Sequence, residues 1–370
     1  MMSHKDTVNA GLPVLENDGR AWSWFEFLPL ILFYTPVTLY WIWLGLRYRS
    51  LGLPMLANPR IPLGGMVGES KSGILDSGGE YASEWILPYA LCHYDSRLPL
   101  SDQVNSAIHA ARAKKIVFPM VAKPDLGCRG RGVRLLHGEE DLHSYLRDFP
   151  PGRDYLLQQL APWRAEAGIF YVRRPEEKQG RITSITLKYT PLVTGDGRRS
   201  LRQLIEANPR ARRLKKVYLG KNGVCGEWVP EKGEEVPLTF AGSHCRGSIF
   251  RDGAEFHSAA LEAAVDRIMQ DFPDFYYGRL DVKFRDVDSL QQGENFFVIE
   301  VNGASSEATH IWDSRGSLAG VFRTLFGQYR TLYEIGHALR LRGLKPPAAT
   351  QLVTTWLREL FSASSYPEGQ

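Results

Sequence analysis

Two short apolar segments in the last third of the chain carry polar side chains at spacings that suit phosphate and metal chemistry. They are residues 278–283 (GRLDVK) and residues 297–302 (FVIEVN). Both patterns predict buried neighbouring strands, in which each unpaired polar group costs on the order of 1–3 kcal/mol. Hard oxygen ligands grouped in this way suit Mg²⁺, which keeps several waters and bridges substrate phosphates. The candidate metal ligands are Asp281, Glu300 and Asn302.

Arg279 lies two residues before Asp281, so the two side chains share one face of a strand. Such an arginine can stabilise charge on a transferring phosphoryl group, although a purely structural ion pair with Asp281 is also possible. Glu300 and Asn302 share a face in the same way. Two such pairs on adjacent apolar strands are hard to explain structurally, and they favour a functional site.

A lysine followed by a glycine-rich turn lies upstream. Residues 118–124 (FPMVAKP) predict a short strand that ends near Lys123, and Gly127, Gly130 and Gly132 follow before a second strand at 133–136. Glycines let successive backbone N–H groups approach phosphate oxygens, and a lysine supplies a compact positive charge. Many glycine loops are ordinary hairpin turns, and this one lacks the Gly-Lys-Ser/Thr of a Walker loop.

The lysine with its glycine loop, the Gly-Arg-Leu-Asp strand and the Glu-Val-Asn strand together resemble the ATP-grasp superfamily. The resemblance extends over residues 116–329. Residues 193–205 are similar to a segment of cyanophycin synthetases, and the two strands are similar to those of D-alanine–D-alanine ligases. The residues that follow Asn302 (GASSEATH) depart from both families, and this leaves the acceptor substrate open.

The resemblance implies an α+β fold in which two lobes grip ATP. It also implies an ATP-dependent carboxylate–amine ligase, which activates a carboxylate as an acyl phosphate, joins it to an amine or similar nucleophile, and releases ADP and phosphate. The implied cofactors are ATP and Mg²⁺, with Mn²⁺ as a possible substitute. The expected substrates are small-molecule or lipid-like carboxylates and amines.

The resemblance also implies roles for individual residues. Lys123 would contact the ATP phosphates and Arg279 would stabilise the developing charge. Glu166 would bind the ribose unless it is a surface carboxylate, and Lys188 would be a second phosphate contact unless it is an exposed strand residue. The glycine flap would be formed by Gly127, Gly130 and Gly132, the adenine-reading hinge by Gln158, Gln159 and Leu160, and the acceptor contacts by His244 and Arg246.

Residues 27–46 form an uncharged run of 20 residues near the N-terminus. As a helix the run would extend about 30 Å, the thickness of the hydrocarbon core of a bilayer. Arg47 and Arg49 follow it, and the positive-inside bias then leaves the catalytic domain in the cytoplasm. The sequence therefore predicts a membrane-associated protein, single-pass or monotopic. A buried core helix is an alternative, and Pro29 and Pro36 allow a kinked segment within one leaflet.

These features divide the chain of 370 residues into five parts. A tail (1–26) precedes the membrane anchor helix (27–46), a linker with a shortened N-terminal substrate lobe (47–115), the ATP-grasp domain (116–330), and C-terminal helices with a tail (331–370). Within the linker, residues 69–72 (ESKS) predict a helix cap or an anion contact.

Composition narrows the class of partner. The net charge is +4, and residues 198–221 are strongly basic, which is typical of a solvated helical face or a contact with anionic headgroups. No motif supports nucleic-acid binding, and the four cysteines have no metal-type spacing. An ATP-dependent phosphotransferase and a nucleotide-binding membrane protein without turnover remain alternative functions. The oligomeric state and the identity of both substrates stay open.

Overall fold

The structure is a computed structural model that describes residues 7–15, 22–127, 130–219, 226–363 and 366–367. The helices of this part are α1 (Leu30–Arg47), α2 (Lys71–Leu75), α3 (Glu80–Trp85), α4 (Leu100–Ala113), α5 (Glu139–Asp148), α6 (Leu201–Ala207), α7 (Lys215–Tyr218), α8 (Ala259–Gln270), α9 (Val287–Gln291), α10 (Leu318–Leu341) and α11 (Ala349–Ala363). The strands are β1 (Tyr89–Tyr94), β2 (Met120–Pro124), β3 (Arg134–Leu136), β4 (Arg153–Gln159), β5 (Ala165–Val172), β6 (Arg181–Tyr189), β7 (Leu192–Thr194), β8 (Glu235–Pro237), β9 (Ile249–Asp252), β10 (Tyr277–Phe284) and β11 (Phe296–Asn302).

A four-stranded antiparallel sheet forms the first lobe, in the order β1-β4-β2-β3. Helices α4 and α5 contribute apolar side chains to its core, among them Ala111 and Leu142. Helix α5 carries acidic residues in its first turn and an arginine in its last, as the helix dipole favours. This lobe presents the glycine loop between β2 and β3, which carries Lys123 at its start.

A five-stranded antiparallel sheet forms the second lobe, in the order β11-β10-β5-β6-β9. Strand β5 is buried along its whole length. Its odd-numbered side chains and the even-numbered side chains of β10 form the main apolar core beneath α8, and Ile169 and Leu280 belong to that core. Ser258 caps α8, because its hydroxyl accepts a hydrogen bond from the N–H of Leu261. The opposite face of the sheet carries polar residues at one end, and Phe170, Val172 and Tyr277 at the other.

A small third unit follows β6. Strands β7 and β8 pair, and α6 packs its apolar face on them. Ser200 and Gln203 form a reciprocal capping box at the start of α6.

Helix α1 packs along α10 and is the one helix in the described residues that is long and apolar enough to cross a membrane. Phe33 lies against Trp312 at 4.8 Å between ring centroids, and Tyr40 lies against Phe326 at 4.6 Å. The hydroxyl of Tyr333 donates to the carbonyl of Trp41 (3.1 Å). One side of α1 is therefore part of the protein interior.

Residues 366–367 return to the first lobe. Tyr366 is 5% exposed and packs in the core of that lobe, with its ring 5.5 Å from that of Phe149. The carbonyl of Pro367 accepts a hydrogen bond from the N–H of Gly132, the last glycine of the flap.

The structure confirms the predicted α+β class, and the two polar strands are neighbours, as expected. The helix predicted at 27–46 begins at Leu30 and ends at Arg47, after a 3₁₀ turn at Trp24–Phe27. Strand β1 and α4 belong to the first lobe although they precede residue 116, the predicted start of the ATP-grasp domain. Helix α10 likewise runs across the boundary predicted at residue 331. Ser70 caps α2 by accepting from the N–H of Gly73, in agreement with the cap interpretation.

Asn58 connects the loop after α1 to the start of β10. Its side chain is 1% exposed, donates to the carbonyls of Gly64 (2.9 Å) and Tyr277 (2.8 Å), and accepts from the N–H groups of Tyr276 and Tyr277. We expect Asn58→Ala to lower the free energy of unfolding by about 2–4 kcal/mol, because it leaves several buried backbone groups unpaired. Urea denaturation measures this, with exposed Asn105→Ala as the control. Equal midpoints for the two variants would contradict the assignment.

Candidate active site

The polar face of the five-stranded sheet is organised in rows that run across its strands. Directly opposed residues of antiparallel strands project to the same face. One row contains Glu166 and Lys188, the next contains Glu300, Asp281, Gly168 and Thr186, and the third contains Asn302, Arg279, Phe170 and Ser184. The candidate ligands predicted from two separate segments are thus brought side by side.

Asp281 is the centre of an ion-pair network. Its Oδ1 lies 2.8 Å from Nζ of Lys188 and 2.8 Å from Nε of Arg279, and its Oδ2 lies 3.1 Å from Nη2 of the same arginine. Burial opposes ionisation of this carboxyl, but the charges of Arg279 and Lys188 outweigh burial and hold its pKa well below the usual range. Asp281 is therefore a permanent anion that fixes two cations.

Gly168 makes this network possible. A Cβ at this position would lie 3.1 Å from Cδ of Arg279, 3.3 Å from Oδ1 of Asp281 and 3.5 Å from Cε of Lys188. The absence of a side chain on β5 lets three charged groups converge above the sheet.

Glu166 is held by two lysines. Nζ of Lys188 lies 3.0 Å from its Oε1, and Nζ of Lys283 lies 2.9 Å from its Oε2. Burial raises the pKa of Glu166, but Lys283 and Lys188 overcome this and lower it. Glu166 and Lys188 are both buried, which excludes the surface interpretations left open by the sequence.

Lys123 connects the two lobes. Its Nζ donates to Oε1 of Gln158 (2.9 Å) and to the carbonyl of Ile299 in β11 (2.9 Å). Burial is the main cause that lowers the pKa of Lys123, to about 8, while Glu300 opposes the change. Nε2 of Gln158 is buried without a partner in the described residues, so it can donate to a ligand.

Lys71, in the first turn of α2, completes the charged group. Its Nζ lies 3.6 Å from Oε1 of Glu300 and donates to the carbonyl of Gly127 in the flap (2.6 Å). Five cationic side chains surround three carboxylates in this network. The cations are Lys71, Lys123, Lys188, Lys283 and Arg279, and the carboxylates are Glu166, Asp281 and Glu300. Cationic side chains gathered in this way suit the oxygens of a polyphosphate.

The candidate metal ligands lie together, with Asp281 opposite Glu300 and Nδ2 of Asn302 3.5 Å from Oδ2 of Asp281. The described ranges contain no cluster of three or more His, Cys, Asp or Glu able to hold a metal. The set here is two carboxylates and one amide. Its hard oxygens fit Mg²⁺ that is shared with phosphate oxygens, because Mg²⁺ takes one or two carboxylates and completes its shell elsewhere.

Part of the predicted adenine-reading hinge, residues 158–160, already forms hydrogen bonds within the protein. The N–H of Gln159 donates to the carbonyl of Pro88 (2.9 Å), and its side chain accepts from the N–H of Val117 (3.0 Å). Leu160 follows the last residue of β4, so its backbone remains the candidate for contact with adenine.

His244 and Arg246, the predicted acceptor contacts, lie outside the ion-pair network around Asp281. The ring of His244 stacks on Trp312 at 4.5 Å, and its Nε2 lies 3.3 Å from Oε1 of Glu26. Burial opposes its charge, but hydrogen bonds to Cys245 and Glu26 raise the pKa of His244. His244 thus stabilises the start of α1. Arg246 is buried, and its Cγ would lie 3.7 Å from a Cβ at Gly130, which puts it beside the flap.

The sequence patterns gave no role to Lys283 and Gly168, and Lys71 was included only in the predicted helix cap or anion contact at residues 69–72. Lys283 had a usable signal, because it lies two residues beyond Asp281 and must share its strand face. Gly168 interrupts an apolar strand, which marks a close approach. The position of Lys71 depends on how α2 meets β11, a tertiary contact that no local pattern encodes.

No family model and no curated protein matches the chain. Solved structures that match include a bifunctional glutathione synthetase from Pasteurella multocida (16% identity, 70% of this chain and 36% of that chain, TM-score 0.34). Others are the VanG D-Ala:D-Ser ligase from Enterococcus faecalis (11%, 69% and 61%, TM-score 0.36) and the D-cycloserine synthetase DcsG (12%, 72% and 70%, TM-score 0.38).

The matched part of this chain covers less than two thirds of the first two structures.

Lys123 gives nucleotide binding a defined pH dependence. Its pKa of about 8 in the free protein rises when phosphate approaches, so binding above that pH requires uptake of a proton. We expect the affinity for ATP to be constant below pH 8 and to fall by up to about tenfold per pH unit above it. Calorimetric titration between pH 7 and 9.5 measures this. Lys123→Arg, which stays charged, should flatten the profile, and an unchanged slope in that variant would refute the assignment.

Proposed function

We propose that this protein is an ATP-dependent ligase that joins a carboxylate to an amine. The observation that carries the proposal is the group of five cations around Asp281, Glu300 and Glu166, assembled from both lobes beside a glycine loop. The order of motifs, in which the chain resembles carboxylate–amine ligases, supports this choice of reaction.

Each residue has a defined task in this reaction. Lys123, Lys71 and the N–H groups of the glycine loop would hold the phosphates, and Lys188 would exchange part of its bond with Asp281 for a phosphate oxygen. Asp281, Glu300 and Asn302 would hold Mg²⁺, which supplies charge neutralisation at the transferred phosphoryl group. Arg279, fixed by Asp281 and by the carbonyl of Glu307 (3.0 Å), would stabilise the charge on the acyl phosphate.

Glu300→Gln tests the reaction while preserving shape. We expect it to lower ADP release at least about 100-fold, because a metal ligand loses its charge. The assay combines ATP–Mg²⁺ with carboxylates, with hydroxylamine as a small nucleophile that traps any acyl phosphate as a hydroxamate. Glu294→Gln, an exposed carboxylate just before β11, is the matched control.

The products separate the alternatives. A stable phosphorylated product without hydroxamate would favour a phosphotransferase. Binding of ATP without ADP release for any carboxylate would favour a nucleotide-binding protein. Full activity of Glu300→Gln would remove the metal assignment.

The proposal includes association of α1 with a membrane. Ile31, Leu39 and Leu46 on its outer face are 78%, 62% and 74% exposed. The threonines of this face, Thr35 and Thr38, donate their hydroxyls to carbonyls of the preceding turn, so the face needs no water. Such a surface suits the acyl region of a bilayer.

The contacts of α1 favour an in-plane position over a span. The helix is fixed to α10, whose Arg330 donates to the hydroxyl of Tyr40 (3.3 Å) and whose Arg340 donates to the carbonyl of Tyr48 (2.9 Å). A spanning α1 would draw these charges into hydrocarbon, which is costly. If α1 instead lies in the plane of the interface, α10 and these charges stay outside the hydrocarbon.

Charged substitutions on the outer face test this surface. We expect the double variant Leu39→Glu, Ile42→Glu to lower the partition coefficient on phosphatidylglycerol-containing vesicles at least about tenfold. Two carboxylates would then replace aliphatic groups that insert into the bilayer. Vesicle co-sedimentation measures the change. Val117→Glu, at an exposed apolar residue of the first lobe, serves as the control. Equal sedimentation of all three proteins would contradict the proposal.

A further inference from the structure

A cavity of about 440 Å³ continues the active-site face of the sheet beyond Arg279. Its floor is Phe170, which is directly opposite Arg279 on one side and Ser184 on the other. Its next row contains Tyr277 and Val172. Because opposed residues share a face, the cavity and the guanidinium of Arg279 lie on the same surface of the sheet.

His310 lines this cavity and is held by Ser184, which lies in the same row of the sheet as Arg279 and Phe170. Its Nδ1 lies 2.7 Å from Oγ of Ser184. When Nδ1 donates to this hydroxyl, Nε2 carries the lone pair and can accept a proton from a ligand. Ser184 and Arg279 are separated by one strand, so their backbones lie roughly 10 Å apart. Phe170 lies between them as the floor of the cavity, and a small nucleophile would lie over its ring.

The charges at the rim indicate what kind of molecule fits. Arg174 is paired with Glu334 (2.6 Å), and Arg181 is paired with Glu177 (2.9 Å). Arg323, on α10, forms no ion pair within the described part of the chain and is exposed at the rim. An available guanidinium is the natural partner of a carboxylate or a phosphate.

We propose that this cavity is the acceptor site of the ligase, and that it takes an amine bearing an anionic group, with Arg323 binding the anion and His310 accepting the proton of the amine. This inference rests on the proposed function and specifies its second substrate. Two sources can supply such an amine, a free small molecule or an aminophospholipid headgroup. A headgroup would reach the cavity from the side of α1, because α1 packs on α10, the helix that carries Arg323.

The chemistry balances without a further reactant. The ammonium of the acceptor gives one proton to Nε2 of His310, and the neutral nitrogen attacks the acyl carbon. The C–N bond forms, the C–O bond to phosphate breaks, and the bonding pair leaves with the phosphate oxygen. The second proton lost by nitrogen goes to the departing phosphate.

The surroundings of His310 agree with a neutral imidazole. Burial lowers its pKa, and Asp252 on β9 and Asp313, which follows the 3₁₀ turn Thr309–Trp312, oppose this without reversing it. The imidazole is therefore free to accept a proton near neutral pH.

Pairs of amines that differ in one anionic group test the proposal. The assay uses the full chain and the carboxylate that gives the most hydroxamate. The pairs are glycine against methylamine and O-phosphoethanolamine against ethanolamine, and phosphatidylethanolamine vesicles form the lipid arm. We expect the anionic member to have a KM at least tenfold lower. If only the vesicles saturate the enzyme, the amine comes from the lipid. If the soluble amines saturate it, the amine is a free small molecule. An equal KM for both members of each pair overturns the proposal.

Two variants assign the roles. Arg323→Gln should raise the KM of the anionic amine at least tenfold and leave the KM of its neutral counterpart unchanged. His310→Gln should lower kcat with amines at least tenfold at pH 7, and the deficit should shrink as pH rises and the amine deprotonates in solution. Arg330→Gln, on α10 outside the cavity, is the matched control.

Hydroxylamine separates this inference from the proposed function. It is a small neutral nucleophile that needs neither Arg323 nor His310, so both variants should form hydroxamate at the wild-type rate. If both variants form hydroxamate normally and also form the amide with wild-type kcat and KM, the acceptor-site proposal is wrong and the ligase proposal stands. Absence of hydroxamate from the wild-type protein with every carboxylate overturns the ligase and the acceptor site together.

Discussion

The bonds of Asp281 to Lys188 and Arg279 determine the arrangement of the whole polar face. Three charged groups can share a buried position only when opposite charges compensate for lost hydration. Here the compensation is nearly complete within the protein, and Gly168 provides the space. The network therefore stores two cations in fixed orientation, ready for a ligand whose negative charge can replace part of that of Asp281. The orientation of these two cations is thus determined by the sheet itself.

The lobes contribute different parts of the site. The first supplies Lys123 and the glycine loop, and the second supplies the carboxylates and Arg279. Lys123 crosses between them to reach the carbonyl of Ile299, and Lys71 contacts both Glu300 and the flap. Two lysines therefore hold the lobes in register. A ligand that drew these ammonium groups away from their present acceptors would weaken these contacts between the lobes.

The sequence predicted those features that depend on local periodicity. The alternation in residues 278–283 and 297–302 was sufficient to predict adjacent strands with polar residues on one face, and the 27–46 run predicted a helix. It did not predict that α1 lies along α10, because an apolar run has the same composition in a lipid-facing and a protein-facing helix. It assigned His244 to the acceptor, whereas stacking on Trp312 engages that ring. Ser184 and His310 lie far apart in the chain, so only the fold reveals their contact.

The position of residues 366–367 has a consequence for how the protein is made. Tyr366 fills the core of a lobe whose other parts are synthesised more than two hundred residues earlier, and Pro367 fixes the last glycine of the flap. While the ribosome is still translating, that lobe has a gap in its interior and a flap without its final tether. The first lobe therefore acquires its full set of core contacts only after residue 367 has been translated.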